Sequence, residues 1–123
     1  MTTSRLEREL AASGAALETQ GEEWLREYVF GEGFVGFDGH FPGQPVLPAM
    51  VQLMAGAQCA GDAAGEALRP VGVARAKFLR PILPGEKMRV RVRLSPKGSD
   101  IVAIVSIDVC GEAAATFQLT LTR

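Results

Sequence analysis

The chain has 123 residues, of which 47% are hydrophobic, and it carries a formal net charge of −1 at pH 7. This length suits one hydrophobic core, so we expect a single domain over residues 1–123. The near-neutral charge argues against a general nucleic-acid-binding surface. The sequence has no run of about 18 apolar residues of membrane character and no apolar signal core after its charged N-terminus, so we expect a cytoplasmic protein that does not enter a membrane.

The N-terminal segment, residues 1–20, is predicted to be helical. Leucines recur among small residues over residues 4–17, a pattern typical of a helix that packs on one side. Thr3 or Ser4 is the expected N-cap, because a hydroxyl side chain can accept from the first free backbone N–H groups. Gly14 weakens the end of this helix.

A strand, a loop and a long helix are predicted next. Residues 22–30 alternate loosely between two faces, which is typical of a strand. Residues 31–47 are rich in Gly and Pro and form a loop that carries His40, the single histidine. Pro48 suits the first turn of a helix, and the apolar pattern continues to about residue 66. Because this helix is apolar nearly all round, we expect it to be buried inside a wrapped sheet.

Three glycines interrupt that helix at positions 56, 61 and 65. Each costs about 1 kcal/mol of helix propensity relative to alanine. We therefore expect another backbone to pass close to the helix at these positions.

The second half of the chain has a period of two, which predicts strands. The alternating apolar positions fall in three runs: Met88, Val90, Val92 and Leu94; then Ile101, Ala103, Val105, Ile107 and Val109; then Phe117, Leu119 and Leu121. Residues 95–100 and 111–112 suit hairpin turns. The prediction is an α+β fold in which an antiparallel sheet wraps one long helix.

The two cysteines, Cys59 and Cys110, are far apart and form no CxxC pair. We expect both to be reduced core residues rather than a disulfide or a metal site. With one histidine and scattered acids, the chain shows no metal-ligand spacing. The sequence therefore predicts no metal.

Charge is unevenly distributed along the chain. Residues 1–32 contain seven acids against three arginines, whereas residues 75–93 contain one acid, Glu86, against seven bases: Arg75, Lys77, Arg80, Lys87, Arg89, Arg91 and Arg93. These bases are either the solvated faces of strands and a helix or a docking patch for an acidic partner. Both interpretations stay open.

The segment from Gly39 to Pro48, with the sequence GHFPGQPVLP, combines two features that suit catalysis. His40 titrates near neutral pH, so it can act as a base. The predicted helix begins directly after the segment, and its free N–H groups can stabilise a carbonyl oxygen that gains negative charge. Together they suggest proton abstraction next to a carbonyl.

The same segment resembles the signature GHFPxxPVxPGVLxxEAxAQ of the 3-hydroxyacyl-ACP dehydratases, the FabZ and FabA families. Ten positions agree: Gly39, His40, Phe41, Pro42, Pro45, Val46, Pro48, Ala55, Ala57 and Gln58. Residues 76–86 also resemble the family's second stretch, ARFRxPVxPGD. The resemblance covers about residues 30–122 and implies the hot-dog fold. Residues 1–30 lack the HRYPFLLVDR segment of the housekeeping enzymes, which indicates a divergent branch.

The resemblance also implies residue roles. His40 would be the catalytic base, and the backbone N–H groups of Ala49 and Met50 would stabilise the thioester carbonyl. Substrate contacts would come from Phe41, Pro48 and Gln58. An acidic acyl carrier protein would dock on Arg75, Lys77 and Arg80. No cofactor is implied, because the elimination needs only an acid, a base and a polarised thioester.

One departure from the family pattern bears directly on catalysis. Met54 stands where the family has a helix glutamate or aspartate, and a thioether can neither donate nor accept a catalytic proton. Losing a positioned acid typically lowers the rate by about 10²- to 10⁴-fold. Asp38, Asp62 and Glu66 are poor substitutes by their positions in the sequence. A single histidine could also move both protons.

Several functions therefore compete. The chain is a dehydratase of fatty-acid or specialised lipid or polyene synthesis that works with an altered second residue, or it is the partner subunit of a glutamate-bearing paralogue. A third alternative is a module that binds an acyl-ACP or acyl-CoA thioester without turnover, and a thioesterase is a weaker fourth. A homodimer or heterodimer, or a higher oligomer, is expected, since family active sites draw on both chains.

Overall fold

A computed structural model describes residues 4–37 and 45–123. The described elements are two α-helices and six strands, with a short 3₁₀ helix at Val35–Phe37. Their bounds are α1 Arg5–Ser13, β1 Glu18–Gln20, β2 Glu23–Val29, α2 Ala49–Ala64, β3 Arg69–Phe78, β4 Lys87–Lys97, β5 Asp100–Val109 and β6 Glu112–Thr122.

The six strands form one antiparallel sheet in the order β1-β2-β4-β5-β6-β3. Helix α2 packs across one face of this sheet, mainly against β4, β2 and β5. An antiparallel sheet folded against one long helix is the hot-dog arrangement, so the predicted α+β fold class is confirmed. Strands β1 and β3 lie at the two edges.

The period-two pattern of β4 is confirmed by its burial. Met88, Val90 and Val92 are each fully buried, whereas the arginines between them lie on the other face of the sheet. Alternate residues of a strand point to opposite faces, and the paired residues of β5, such as Ile107 opposite Val90, are buried on the same side. The core therefore lies between this face and α2.

Helix α2 is buried on one face rather than all round. Val51, Ala55 and Cys59 recur every four residues and face the sheet, with exposures of at most 1%. On the opposite side Met50 is 59% exposed, and Met54 is half-buried. The prediction of a helix enclosed on every side is therefore wrong for the single chain.

Of the three α2 glycines, only Gly61 meets a backbone group as predicted. A Cβ on Gly56 would lie 3.0 Å from the Phe117 ring, so the close approach there is by a side chain and not by a backbone. At Gly61 the nearest atom is the backbone oxygen of Glu66, at 3.3 Å. Gly65 ends the helix with a φ of 72°, a left-handed conformation that glycine adopts without strain.

Helix α1 begins as predicted and ends early. Ser4 is the N-cap, and it forms a reciprocal capping box with Glu7. The helix stops at Ser13 instead of residue 17, because Gly14 is extended and pairs with Tyr28 in an isolated bridge. The three-residue strand β1 then follows, which the sequence analysis did not predict.

The hairpins and cysteines also correct the sequence analysis. The β5–β6 turn is formed by Cys110 and Gly111, both with positive φ, one residue earlier than predicted. Strand β4 continues to Lys97, so its turn is shorter than residues 95–100.

Both cysteines are free, but Cys110 is exposed on the turn and is not a core residue, whereas Cys59 is buried as expected. Neither described helix is long and apolar enough to cross a membrane.

Candidate active site

The N-terminus of α2 presents backbone donors that no described side chain caps. Pro48 is the N-cap, one position before the helical turn in which it was predicted, and its carbonyl accepts from the N–H groups of Val51 and Gln52. Within the described residues, the N–H groups of Ala49 and Met50 have no hydrogen-bond partner, and both residues are exposed. No acid stands in this first turn. The positive end of the helix is therefore available to an oxyanion.

His40 and Phe41, like Asp38, lie outside the described residues. The chain on either side of them is fixed. Phe37 is 5% exposed in the core, and the N–H of Leu47, 2% exposed, donates at 2.8 Å to a carbonyl in the β3–β4 connection. The described residues on either side of this segment are thus packed into the domain, and those after it lead directly into α2.

A largely apolar cleft of about 450 Å³ lies between α1, α2 and β3. Met50, Met54 and Gln58 line it together, at a spacing of four residues along one side of the helix. Its other walls are formed by Glu7, Leu10, Leu53, Ala57, Leu68, Pro70, Val73 and Leu119. Three of the predicted site positions therefore meet at one cleft, and Glu7 is a lining residue that the sequence analysis missed.

Ala49 borders a different and more open depression of about 310 Å³, beside Phe78 and Arg80. A third cleft, of about 440 Å³, lies at the far edge of the sheet around β1 and contains none of the predicted site residues. The described part of the chain contains no group of three or more potential metal-ligating His, Cys, Asp or Glu residues.

A buried polar network lies behind Gln58. The Tyr28 hydroxyl donates to Gln58 Oε1 at 2.6 Å and contacts Cys59 Sγ at 3.5 Å, and the tyrosine is fully buried. Burial raises the pKa of the Tyr28 hydroxyl far above its ordinary value, and it also raises the pKa of the Cys59 thiol. Both groups therefore keep their protons near neutral pH. Sequence analysis placed Tyr28 in an alternating strand and predicted no role for it in the site.

The other acids of this region are engaged elsewhere. Asp62 pairs with Arg26 at 2.7 Å, and Glu66 accepts two hydrogen bonds from Arg123. The Glu7 carboxylate takes part in the capping box of α1. Among the described residues that line the cleft, Glu7 is the sole carboxylate, and Met54 presents no titratable group.

The predicted docking bases differ in whether an ion pair already neutralises their charge. Arg80 is 20% exposed in its side chain and pairs with Glu86 at 2.6 Å and with Glu112 at 3.6 Å. Arg75 and Lys77 are exposed on β3 and make no ion pair with any described residue. Arg75 has a φ of 54° where the register of β3 shifts, which is typical of a β-bulge. The free positive charge therefore lies on the edge strand.

The fold and the helix terminus together define a hot-dog protein with a cleft beside an uncapped helix N-terminus. A family model described as ApeI-like, ApeI dehydratase, matches residues 17–116. Since this match includes most of the chain, the protein belongs to the ApeI-like dehydratase family.

Curated relatives include the 3-hydroxyacyl-[acyl-carrier-protein] dehydratase FabZ of Haemophilus influenzae strain Rd. It is 38% identical over 96 residues, which cover 71% of this chain and 65% of the relative. The FabZ of Histophilus somni strain 2336 is also 38% identical, with coverage of 71% and 64%. The match thus spans slightly less than two thirds of the length of these relatives.

Solved structures share the fold at lower identity. The dehydratase heterocomplex ApeI:P from Xenorhabdus doucetiae superposes with a TM-score of 0.75 at 21% identity, covering 89% of this chain and 96% of that one. The PaaI protein of the phenylacetic acid degradation operon of E. coli gives a TM-score of 0.72 at 15% identity, covering 96% and 87%. Both likenesses support the hot-dog fold.

Proposed function

We propose that this chain takes part in the dehydration of 3-hydroxyacyl-ACP to trans-2-enoyl-ACP. The observation that carries the proposal is the cleft at the start of α2, where Met50 joins the uncapped helix terminus to an apolar wall. An acyl chain suits that wall, and a thioester carbonyl suits the free N–H groups. Membership of the ApeI-like family and identity of 38% to FabZ relatives support the same reaction.

In the proposed reaction His40 takes the proton from the carbon next to the thioester carbonyl. The released electron pair forms the C2–C3 double bond, and the C3–O bond breaks. The N–H groups of Ala49 and Met50 stabilise the negative charge that grows on the carbonyl oxygen. The departing hydroxyl takes up a proton and leaves as water, so the elimination balances without a cofactor. Phe41 and Pro48 complete the proposed substrate contacts.

The source of that last proton distinguishes two forms of the proposal. In the first, the chain works alone, and His40 returns its proton to the hydroxyl or Glu7 supplies one. In the second, the chain is a subunit whose partner, a glutamate-bearing homologue, contributes the acid. Met54 in the wall of the cleft favours the second form, and the Xenorhabdus doucetiae relative is itself described as a heterocomplex.

The carrier protein would approach along β3. Arg75 and Lys77 offer positive charge that no described acid neutralises, which suits an acidic partner. Arg80 would contribute less, because Glu86 and Glu112 already pair with it.

The test is dehydration of 3-hydroxyacyl-ACP followed by mass spectrometry. We expect the isolated chain to be slow and Met54→Glu to be faster by about 10²-fold, because a positioned acid contributes about 10² to 10⁴ in rate. His40→Ala should abolish turnover in both backgrounds. Met54→Gln, which has the same shape as the glutamate but does not titrate, should stay as slow as the wild type.

Further variants locate the acid. If the isolated wild type turns over and Glu7→Gln does not, Glu7 supplies the proton. If turnover appears only with Met54→Glu or with an added glutamate-bearing homologue, the subunit form holds. Absence of enoyl product under all of these conditions would contradict the proposed function.

A further inference from the structure

The contact between Tyr28 and Gln58 joins the core to the wall of the cleft. Tyr28 lies on β2, and its hydroxyl reaches Gln58 Oε1 on α2 at 2.6 Å. Tyr28 is fully buried, its ring stacks on Phe30 at 5.8 Å, and Gln58 lines the cleft. The contact therefore holds the amide of a cleft residue from behind.

The surroundings of the hydroxyl decide which way its proton points. In the structure the hydroxyl donates to Gln58 Oε1 at 2.6 Å, and because a tyrosine hydroxyl has a single proton it can donate to one acceptor only. Cys59 Sγ lies 3.5 Å from the same oxygen, so the thiol can act as the donor in that contact.

This orientation leaves the other end of the amide unused. With its oxygen bound to Tyr28, Gln58 presents Nε2 as its free polar group, and no described residue accepts a hydrogen bond from it. Gln58 lies four residues beyond Met54, which is about 6 Å along the helix. The nearby lining residues Leu53 and Ala57 are apolar. A neutral donor at this place suits an oxygen atom on an otherwise apolar chain.

We propose that Gln58 Nε2 binds the 3-hydroxyl oxygen of the acyl chain, and that Tyr28 is a positioning residue which fixes the direction of this amide. The inference rests on the proposed function for the class of ligand. It assigns no proton transfer to Gln58, because an amide does not titrate. Its role is to distinguish chains that carry an oxygen at C3 from saturated chains.

Binding of two ligands that differ in one hydroxyl tests the proposal. We would measure, by isothermal titration calorimetry, 3-hydroxyoctanoyl-pantetheine and octanoyl-pantetheine in a His40→Ala background, where conversion of the first ligand is prevented. The parent should prefer the hydroxylated ligand about five-fold, the usual effect of one neutral hydrogen bond. Gln58→Leu should remove the preference, and Tyr28→Phe should remove most of it, with little change in octanoyl affinity.

A matched control separates positioning from packing. Leu53→Ala removes an apolar part of the same wall, so both ligands should weaken alike and their ratio should stay at the parent value. If Gln58→Leu and Tyr28→Phe also leave the ratio unchanged, the proposal is overturned. If Tyr28→Phe does not fold, Gln58→Leu alone decides, since its side chain is at the cleft surface.

The result is independent of turnover. A hydroxyl preference that depends on Gln58 and Tyr28, in a protein that forms no enoyl product in the dehydration assay, would support this inference and refute the proposed function. Turnover by the wild type, together with a ligand ratio that Gln58→Leu and Tyr28→Phe leave unchanged, would support the proposed function and refute this inference.

Discussion

Gly56 is the point at which α2 comes closest to the sheet. An alanine methyl there would lie 3.0 Å from the Phe117 ring and 3.3 Å from Val105, both of which are packed in the core at 1% exposure. Overpacking of this kind costs about 1–3 kcal/mol, whereas the gain in helix propensity is about 1 kcal/mol. We predict that Gly56→Ala lowers the free energy of unfolding by about 1 kcal/mol, measured by urea denaturation.

The control for this prediction replaces Phe117, the residue that the new methyl group would meet, with a smaller side chain. In a Phe117→Leu background the same substitution should cost less or stabilise, because the ring that it meets is gone. A higher urea midpoint for Gly56→Ala in the wild-type background would contradict the assignment of Gly56 as a packing glycine.

Contacts between residues that are far apart in the sequence were the part of the site that sequence analysis could least predict. Gln58 was identified through its place in a family signature, but its partner Tyr28 is 30 residues away on another element. No local pattern encodes such a pair, because it depends on how β2 and α2 pack. The ion pair of Arg80 with Glu112 was hidden for the same reason. Its other partner, Glu86, is only six residues away and was counted as the one acid of the basic segment, but the sequence does not show that the two side chains meet.

The connection between β3 and β4 is held by one carboxylate. Glu86 accepts from the backbone N–H of Leu83 at 2.8 Å and from Arg80 at 2.6 Å. Partial burial acts to raise the pKa of Glu86, but these two donors outweigh it, so the pKa lies below its ordinary value. A carboxyl with a lowered folded pKa stabilises the fold above its unfolded pKa, and this stabilisation is lost as the pH falls through the folded value.

Glu86→Gln should therefore destabilise the protein in a pH-dependent way. We predict a loss of about 1 kcal/mol at pH 7, after allowing for partial exposure, and a difference from wild type that shrinks as the pH falls through the lowered pKa of Glu86. Urea unfolding at a series of pH values measures this. Glu112→Gln is the matched control, since Glu112 approaches the same Arg80 at 3.6 Å and is 69% exposed; it should change little. A loss that is equal at pH 7 and pH 3 would refute the electrostatic explanation.

At the level of elements, prediction succeeded where burial imposes a period. Strand β4 was clear because one face meets the core and the other meets solvent. Strand β1 was missed because it has three residues, all exposed, and so carries no alternation. Helix α1 ends early because of a tertiary contact, the bridge between Gly14 and Tyr28. From the sequence alone, Gly14 indicated only that the end of the helix is weak.

Considered as a whole, the single chain leaves one long edge unpaired. Strand β3 pairs with β6 on one side, and its other side has no partner among the described residues. Val71 and Val73 are about half exposed, and Met50 stands exposed nearby across the cleft. An open edge with apolar side chains is a template for pairing with another chain. The exposed side of α2 lies on the same surface as this edge, since Met50 and Val73 line one cleft. For this reason the apolar pattern of α2 predicted more burial than the single chain shows.

We predict that association occurs along the first half of β3, at Val71 and Val73, before the irregularity at Arg75; Arg75 and Lys77 then stay available to a carrier protein. The wild type should sediment at twice its chain mass of 13.1 kDa, and Val71→Asp should shift it towards the monomer, because a carboxylate would be buried against the second chain. Ile104→Asp is the control, since Ile104 is 46% exposed but lies on the central strand β5, away from this edge; it should leave the mass unchanged. Sedimentation equilibrium measures both. A wild-type chain that is monomeric alone should reach the dimeric mass only when a glutamate-bearing homologue is added, and Val71→Asp should block that complex as well. If Val71→Asp leaves every complex intact, association does not use β3, and the open edge has no part in forming the active site.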